Sequence, residues 1–192
     1  VNLNQCPVQD QRLNPLLANI KQDIQNRGWS IYDETQHRGK LRHLSLRIGR
    51  RTGEILLTLI ATQGSLPGLQ EQAEIWLQQY PLLKGVCLTL NPNQSNVIFG
   101  QETRCLAGQP YLREEFGGLS FFLRPETFFQ VNTEVAEALL QVMRQQLNLQ
   151  GTERIVDAYC GIGTFTLPLA QDLQQKQPDS QESLSPSQVI GL

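Results

Sequence analysis

The residues best placed to do chemistry fall within one short run, Arg154-Ile-Val-Asp-Ala-Tyr-Cys-Gly-Ile-Gly163. The β-branched pair Ile155 and Val156 leads to a carboxylate, Asp157, and then to a turn with glycine at 161 and 163. Glycines at that spacing permit left-handed backbone and let a ligand approach the main chain. Thr164 follows as a candidate N-cap, and Phe165, Leu167, Leu169 and Ala170 supply the apolar positions of a helix. A glycine turn between the first strand and first helix of an α/β sheet is where nucleotide-like cofactors bind. The spacing is D-x-x-C-G-x-G rather than the G-x-G-x-x-G of a dinucleotide fold. That favours S-adenosylmethionine, whose methionine moiety needs no pyrophosphate cradle.

Two other groups of residues carry chemical potential. In Phe128-Phe-Gln-Val-Asn132 a single amide, Gln130, stands in an apolar setting. It is open either to a ligand contact or to satisfying local backbone. Six basic residues, Arg38, Lys40, Arg42, Arg47, Arg50 and Arg51, lie between positions 38 and 51. One reading is a phosphate-contacting ridge for RNA carried by Arg42, Arg47, Arg50 and Arg51. The other is a solvated strand face whose cations discourage edge-to-edge pairing.

These residues need elements to hold them. Leu13–Gly28 reads as a helix, with Asn14 as cap, Pro15 in the first turn, Gly28 as stop, and Leu16, Leu17, Ile20 and Ile24 as its buried stripe. Leu44, Leu46 and Ile48 alternate with polar residues, Arg50–Gly53 is a turn, and residues 54–62 read as a more fully buried partner strand, which together give a β-hairpin. A second helix is expected over 67–80, ended by Pro81, with Trp76 and Tyr80 in the core. Strands are expected at 85–90, at 97–100 and at 117–124, with Cys87 and Cys105 as small apolar strand residues. The sum is an α+β central domain, an antiparallel sheet with helices, over residues 1–124. Residues 125–192 then begin a Rossmann-like α/β domain. Its first helix is capped by Asn132 or Thr133, with Glu134 and Glu137 in its first turn and Val135, Leu139, Val142, Met143 and Leu147 as the buried stripe. Residues 174–188 read as a loop, and Gln188–Leu192 as the start of a second parallel strand.

Composition narrows the field. The 192 residues are 40% hydrophobic and carry a net charge of −2, with a pI near 5.7. That is not the overall charge of a protein coated for nucleic acid, although a local basic surface remains open. No apolar run approaches the roughly 18 residues of a membrane span. No secretory signal is visible at Val1–Pro7, and the four cysteines are widely spaced. Reduced thiols, a cytoplasmic location, a monomeric state and no membrane partner are therefore expected.

Phe128-Phe-Gln-Val-Asn132 followed by Asp157-Ala-Tyr-Cys-Gly-Ile-Gly163 resembles the RNA (uracil-5-)-methyltransferases, and within them the branch that makes 5-methyluridine in 23S ribosomal RNA. Arg42-His43, Asn96-Val-Ile-Phe-Gly100 and Cys6-Pro7 also look like family features. The resemblance implies S-adenosylmethionine as cofactor and RNA as partner. It assigns Gln130 to the cofactor and Tyr159 to the aromatic position of the turn, the alternative for Tyr159 being a core residue at the strand end. Asp157 either fixes the loop or reaches the methionine amine. Gly161 and Gly163 let the backbone approach, and at Thr164 capping and ligand roles can coexist. In this family a cysteine thiolate attacks uracil C6 so that C5 can accept the methyl group, and a general base then removes the C5 proton. The family places both residues well beyond the glycine turn. Cys160 is therefore expected to be a small turn residue beside the cofactor, with the nucleophile and base beyond Leu192. On that reading the chain is a fragment, catalytically inactive, that binds the cofactor weakly or not at all. Some members carry a 4Fe–4S cluster, and Cys6-Pro7 resembles the context of its fourth ligand. A single cysteine cannot hold a cluster, so Cys6 should be an unligated thiol here. An RNA-positioning module without catalysis, a tRNA uracil-5-methyltransferase, and a methyltransferase for DNA or a small molecule are the competing readings.

Overall fold

A computed structural model describes residues 6–176 and 188–192, which divide into two compact units. The first takes the described residues up to Glu114 together with Phe122–Glu126, and the second takes Glu115–Phe121 together with the described residues from Thr127 onward.

In the first unit, α1 (Leu13–Asn26) buries Leu13, Leu16, Ile20 and Ile24. It starts one residue before the expected cap, with Arg12 at the N-cap position and no side-chain cap. Backbone supplies the missing acceptors: Leu13 N–H donates to Asp10 O at 3.0 Å and Asn14 N–H to Gln11 O at 3.2 Å. Asn14 instead accepts from the Gln9 amide. The expected hairpin is present as β1 (Leu41–Ile48) and β2 (Ile55–Ala61), antiparallel, with Leu46 opposite Leu57 and Ile48 opposite Ile55. Every residue of β2 is buried. Next comes α2 (Leu69–Gln79), with Trp76 fully buried. Trp76 meets Trp29 edge to face at 6.2 Å and donates to Asp23 Oδ2 at 2.8 Å.

The expected antiparallel sheet is mixed instead. β3 (Leu83–Leu90) runs parallel to β2, with Leu57 opposite Val86, and β4 (Glu102–Gly108) runs antiparallel to β3, giving the order β1-β2-β3-β4. A helix between two neighbouring strands returns the chain to the starting end of the sheet, which makes the pair parallel. The expected strand at 97–100 is absent, and Val97 and Ile98 are exposed. Their carbonyls are taken by the Asn91 side-chain amide, at 2.5 Å to Val97 O and 3.1 Å to Ile98 O. Cys87 is buried and sits opposite Cys105, which is exposed on the outer strand rather than packed in the core. Nor is 117–124 the last strand of this sheet. Two strands, β5 (Leu112–Phe116) and β6 (Leu119–Leu123), form a separate two-stranded sheet.

In the second unit, α3 (Thr133–Leu147) is capped as expected, the Asn132 side chain accepting from Val135 N–H at 3.1 Å. Its buried face is a correction. Thr133, Ala136 and Leu140 are buried, while Val135, Leu139, Val142 and Leu147 are exposed. Both sets repeat at helical spacing, so periodicity alone could not choose between them. β7 (Arg154–Asp157) and β8 (Gln188–Gly191) are parallel, with Asp157 opposite Gly191. α4 (Thr166–Lys176) follows β7, so residues 174–176 are helix rather than loop, and 177–187 lie outside the described residues. Arg144 on α3 holds Asp172 on α4 at 2.6 and 2.9 Å.

Candidate cofactor site

The glycine turn leaves the carboxyl end of β7, where open α/β sheets bind ligands. Main-chain bonds lock that end to β8: Leu192 N–H donates to Asp157 O at 2.9 Å, and Cys160 N–H donates to Leu192 O at 3.2 Å. Gly163 N–H closes the turn on Cys160 O at 2.8 Å. Asp157 serves this turn with both carboxylate oxygens. Oδ1 accepts from Tyr159 N–H at 3.2 Å, and Oδ2 accepts from the Thr166 hydroxyl at 2.6 Å. Of its two anticipated roles, loop fixing is the one visible in the geometry.

The remaining turn residues separate into packed and open ones. Gly163, at φ +85°, faces the Leu167 side chain, and a Cβ there would come within 2.8 Å of it. Its need for glycine is thus met by packing within the turn. Gly161, at φ +54°, has nothing within 4 Å of where a Cβ would stand. Tyr159 is 97% exposed, so it is not a core residue. Thr164 is buried and lies two residues before α4 begins, and the hydroxyl that is used belongs to Thr166. The Cys160 thiol is turned against β8: a Cβ on Gly191 would lie 2.7 Å from its sulfur.

Gln130 reaches this neighbourhood through its neighbour. Phe129 is buried and meets Phe116 edge to face at 5.8 Å. Phe165, from the turn itself, meets the same Phe116 ring at 5.8 Å. Phe116 therefore ties the Gln130 segment to the glycine turn. The Gln130 side chain is half-buried and makes no hydrogen bond to another described residue, which leaves its amide for a ligand. Phe116 and Thr166 are the positioning residues that sequence reasoning did not single out. A hydroxyl at the first position of the helix, nine residues after a strand-end carboxylate, was the available signal for Thr166. None marked Phe116.

Of the four candidate ridge arginines, Arg42, Arg47 and Arg50 have side chains bound within the first unit, whereas Arg51 is exposed. The Arg42 side chain is only 2% exposed. Nε and Nη2 fork onto Glu34 at 2.9–3.1 Å, Nη1 donates to the carbonyls of Asn91 and Asn93, and Nη2 also reaches Ser95 O. All five N–H groups of a guanidinium are thereby engaged, and the Tyr32 ring lies 4.9 Å beneath it. Arg47 donates to Arg124 O at 2.9 Å, and burial lowers its pKa. Arg50 Nη1 is paired with Asp10 at 3.1 Å, and the main-chain N–H groups of Arg50 and Arg51 donate to the buried Glu114 carboxylate. Cys6 is a free, half-buried thiol. No group of three His, Cys, Asp or Glu side chains able to hold a metal occurs among the described residues, so the geometry gives a cluster at Cys6 no support. No helix among them is long and apolar enough to cross a membrane.

No family model matches the chain. It is 68% identical over 175 residues to an uncharacterized RNA methyltransferase of Nostoc and 61% identical over 175 residues to one of Synechocystis, in each case covering 91% of this chain and 38% of the relative. The chain thus spans less than two fifths of the curated relatives it matches. Among solved structures it is similar to the Pyrococcus abyssi tRNA (uracil-54, C5)-methyltransferase in complex with S-adenosyl-L-homocysteine. The TM-score is 0.72 at 26% identity, covering 90% of this chain and 41% of that one.

Proposed function

We propose that this chain is part of an S-adenosylmethionine-dependent RNA methyltransferase that methylates C5 of a uridine, in 23S ribosomal RNA. The observation that carries the reading is the joining of Gln130 and the pinned Asp157–Thr166 turn through Phe116. The likeness to RNA methyltransferases supports the substrate class, and the likeness to a uracil-C5 enzyme supports the base. Because that enzyme acts on tRNA, tRNA is the second reading.

The residues present fit an adenosyl cofactor. The open backbone at Gly161, the exposed Tyr159 ring and the uncommitted Gln130 amide are the groups that would hold it. When bound, the cofactor supplies an electrophilic methyl group. The turn's own work is to stay rigid, and Asp157 achieves this by tying β7, the Tyr159 amide and α4 together. Uracil C5 also needs a nucleophile at C6 and a base for its proton. The packing of Cys160 on Gly191 favours a structural role for it over either of these. Both are proposed for the part of the relatives' length that this chain does not span, which makes the chain alone inactive. A cytoplasmic, monomeric enzyme belongs to the same proposal.

The test is methyl transfer from tritiated S-adenosylmethionine by the longer parent protein to purified ribosomal RNA and tRNA, followed by nucleoside analysis. Label in 5-methyluridine from 23S RNA supports the reading, and label confined to tRNA transfers it to the second one. A methylated base other than uracil, or methyl transfer by this chain alone, refutes it.

A further inference from the structure

Resting on the RNA reading above, the question becomes where the first unit could grip a polyanion. Arg42 has no N–H left to give, Arg47 faces inward, and Arg50 is paired with Asp10. Lys40 and Arg104 are two further cations whose bonds to the protein use only part of their donor set. Between the 64–66 loop, the first turn of α2 and the outer strand β4 is an open cavity of about 490 Å³, lined by Gly64, Ser65, Gln70, Arg104, Cys105 and Leu106. Two cations are anchored on consecutive carbonyls of its loop: Arg104 Nη2 on Gly64 O at 2.9 Å and Lys40 Nζ on Ser65 O at 3.4 Å.

We propose that this cavity, lined by Arg104, and the adjoining Lys40, held on the same loop, form an RNA phosphate site. Each side chain is steadied by one hydrogen bond to the loop. The other N–H groups of the guanidinium and ammonium can then meet a phosphate oxygen. Arg104 itself is exposed. Nearby carboxylates are partly occupied: Glu71 pairs with Arg27 at 3.1 Å, and Glu74 accepts from Gln70 at 3.1 Å. Glu102, two positions before Arg104 on the same strand face, opposes the field. β4 is the outermost strand of its sheet and its first residues are exposed, so an extended backbone can cross this edge without entering a closed pocket. That geometry suits a nucleic-acid strand better than a small metabolite, which would be enclosed.

The experiment measures binding of a fluorescein-labelled, uridine-containing RNA oligonucleotide to this chain by anisotropy across a salt series. Three forms are compared: wild type, the double variant K40Q/R104Q and the double variant R50Q/R51Q. Loss of two single-strand phosphate contacts should lower the log–log salt slope of K40Q/R104Q by about 1.4, at about 0.7 per contact. R50Q/R51Q should keep the wild-type slope. Because Cys105 lines the cavity, bound RNA should also slow its alkylation by iodoacetamide in the wild type. If wild type binds RNA but K40Q/R104Q keeps its slope, or RNA leaves Cys105 equally reactive, the phosphate site is overturned while the RNA reading stands. If the folded wild-type chain binds no RNA with any salt dependence, the phosphate site and RNA binding by this unit fall together, and methyl transfer by the parent still decides the enzyme reading.

Discussion

Replacing Thr166 by valine removes one hydroxyl and leaves the branched shape of the side chain. Thr166 is buried, and its hydroxyl lies 2.6 Å from Asp157 Oδ2. A hydrogen bond to an ionised group contributes about 1.5–3 kcal/mol. Asp157 is half-exposed, so water compensates part of the loss and the lower end, about 1.5–2 kcal/mol, is expected. Helix propensity changes little, because threonine and valine rank together. The loss should be local to the turn, α4 and β8. Both tryptophans, Trp29 and Trp76, lie in the first unit, so tryptophan fluorescence would miss it. Native-state hydrogen exchange of α4 amides is the suitable assay, and about 1.5–2 kcal/mol corresponds to roughly 10–30-fold faster exchange. T166S should restore protection. In a double-mutant cycle D157N and T166V should couple by about 1 kcal/mol or more. Additive effects, or unchanged exchange in T166V, would refute the pinned turn.

Truncating Phe116 to alanine should cost about 3–5 kcal/mol in the second unit, because a fully buried ring with three aromatic partners is lost; unfolding followed by exchange of α3 and α4 amides checks this. R42M should destabilise the first unit by about 3 kcal/mol, the low end for breaking a buried pair because Glu34 stays half-exposed, with tryptophan fluorescence in urea as readout. The side-chain hydrogen bond from Arg12 holds Asp10 at a pKa of about 2, below its usual 3.8. A depressed carboxylate contributes stability above its unfolded pKa and loses it as pH falls through the folded value. D10N should therefore be less stable than wild type at neutral pH, and the gap should close between about pH 4 and pH 2.

The helices, the hairpin and the strand–turn–helix were legible because each rests on local signals: apolar spacing, glycine turns and the Asn132 cap. What was not legible depended on non-local partners. The parallel pairing of β2 and β3 is decided by where α2 returns the chain, not by either strand's sequence. α3 carries two apolar stripes, and only its neighbours choose Ala136 and Leu140 over Val135 and Leu139. The alternating pattern around Arg42 suggests a solvated or phosphate-contacting face and carries no sign of an internal anchor. The carbonyls of Asn91, Asn93 and Ser95 that capture Arg42 lie some fifty residues away. Within the site, the glycines and Asp157 were readable from spacing, whereas Phe116 enters from a hairpin with no motif of its own.

The central claim is that Gln130 and the glycine turn belong to one adenosyl-cofactor site. It is tested most directly by calorimetric titration of the longer parent protein with S-adenosylhomocysteine, comparing wild type with Q130A and G161V. The prediction is saturable binding by wild type, weakened at least about tenfold, roughly 1.4 kcal/mol, in each variant without loss of folded structure. Equal affinity in all three, or no binding by a folded wild-type protein, would contradict it.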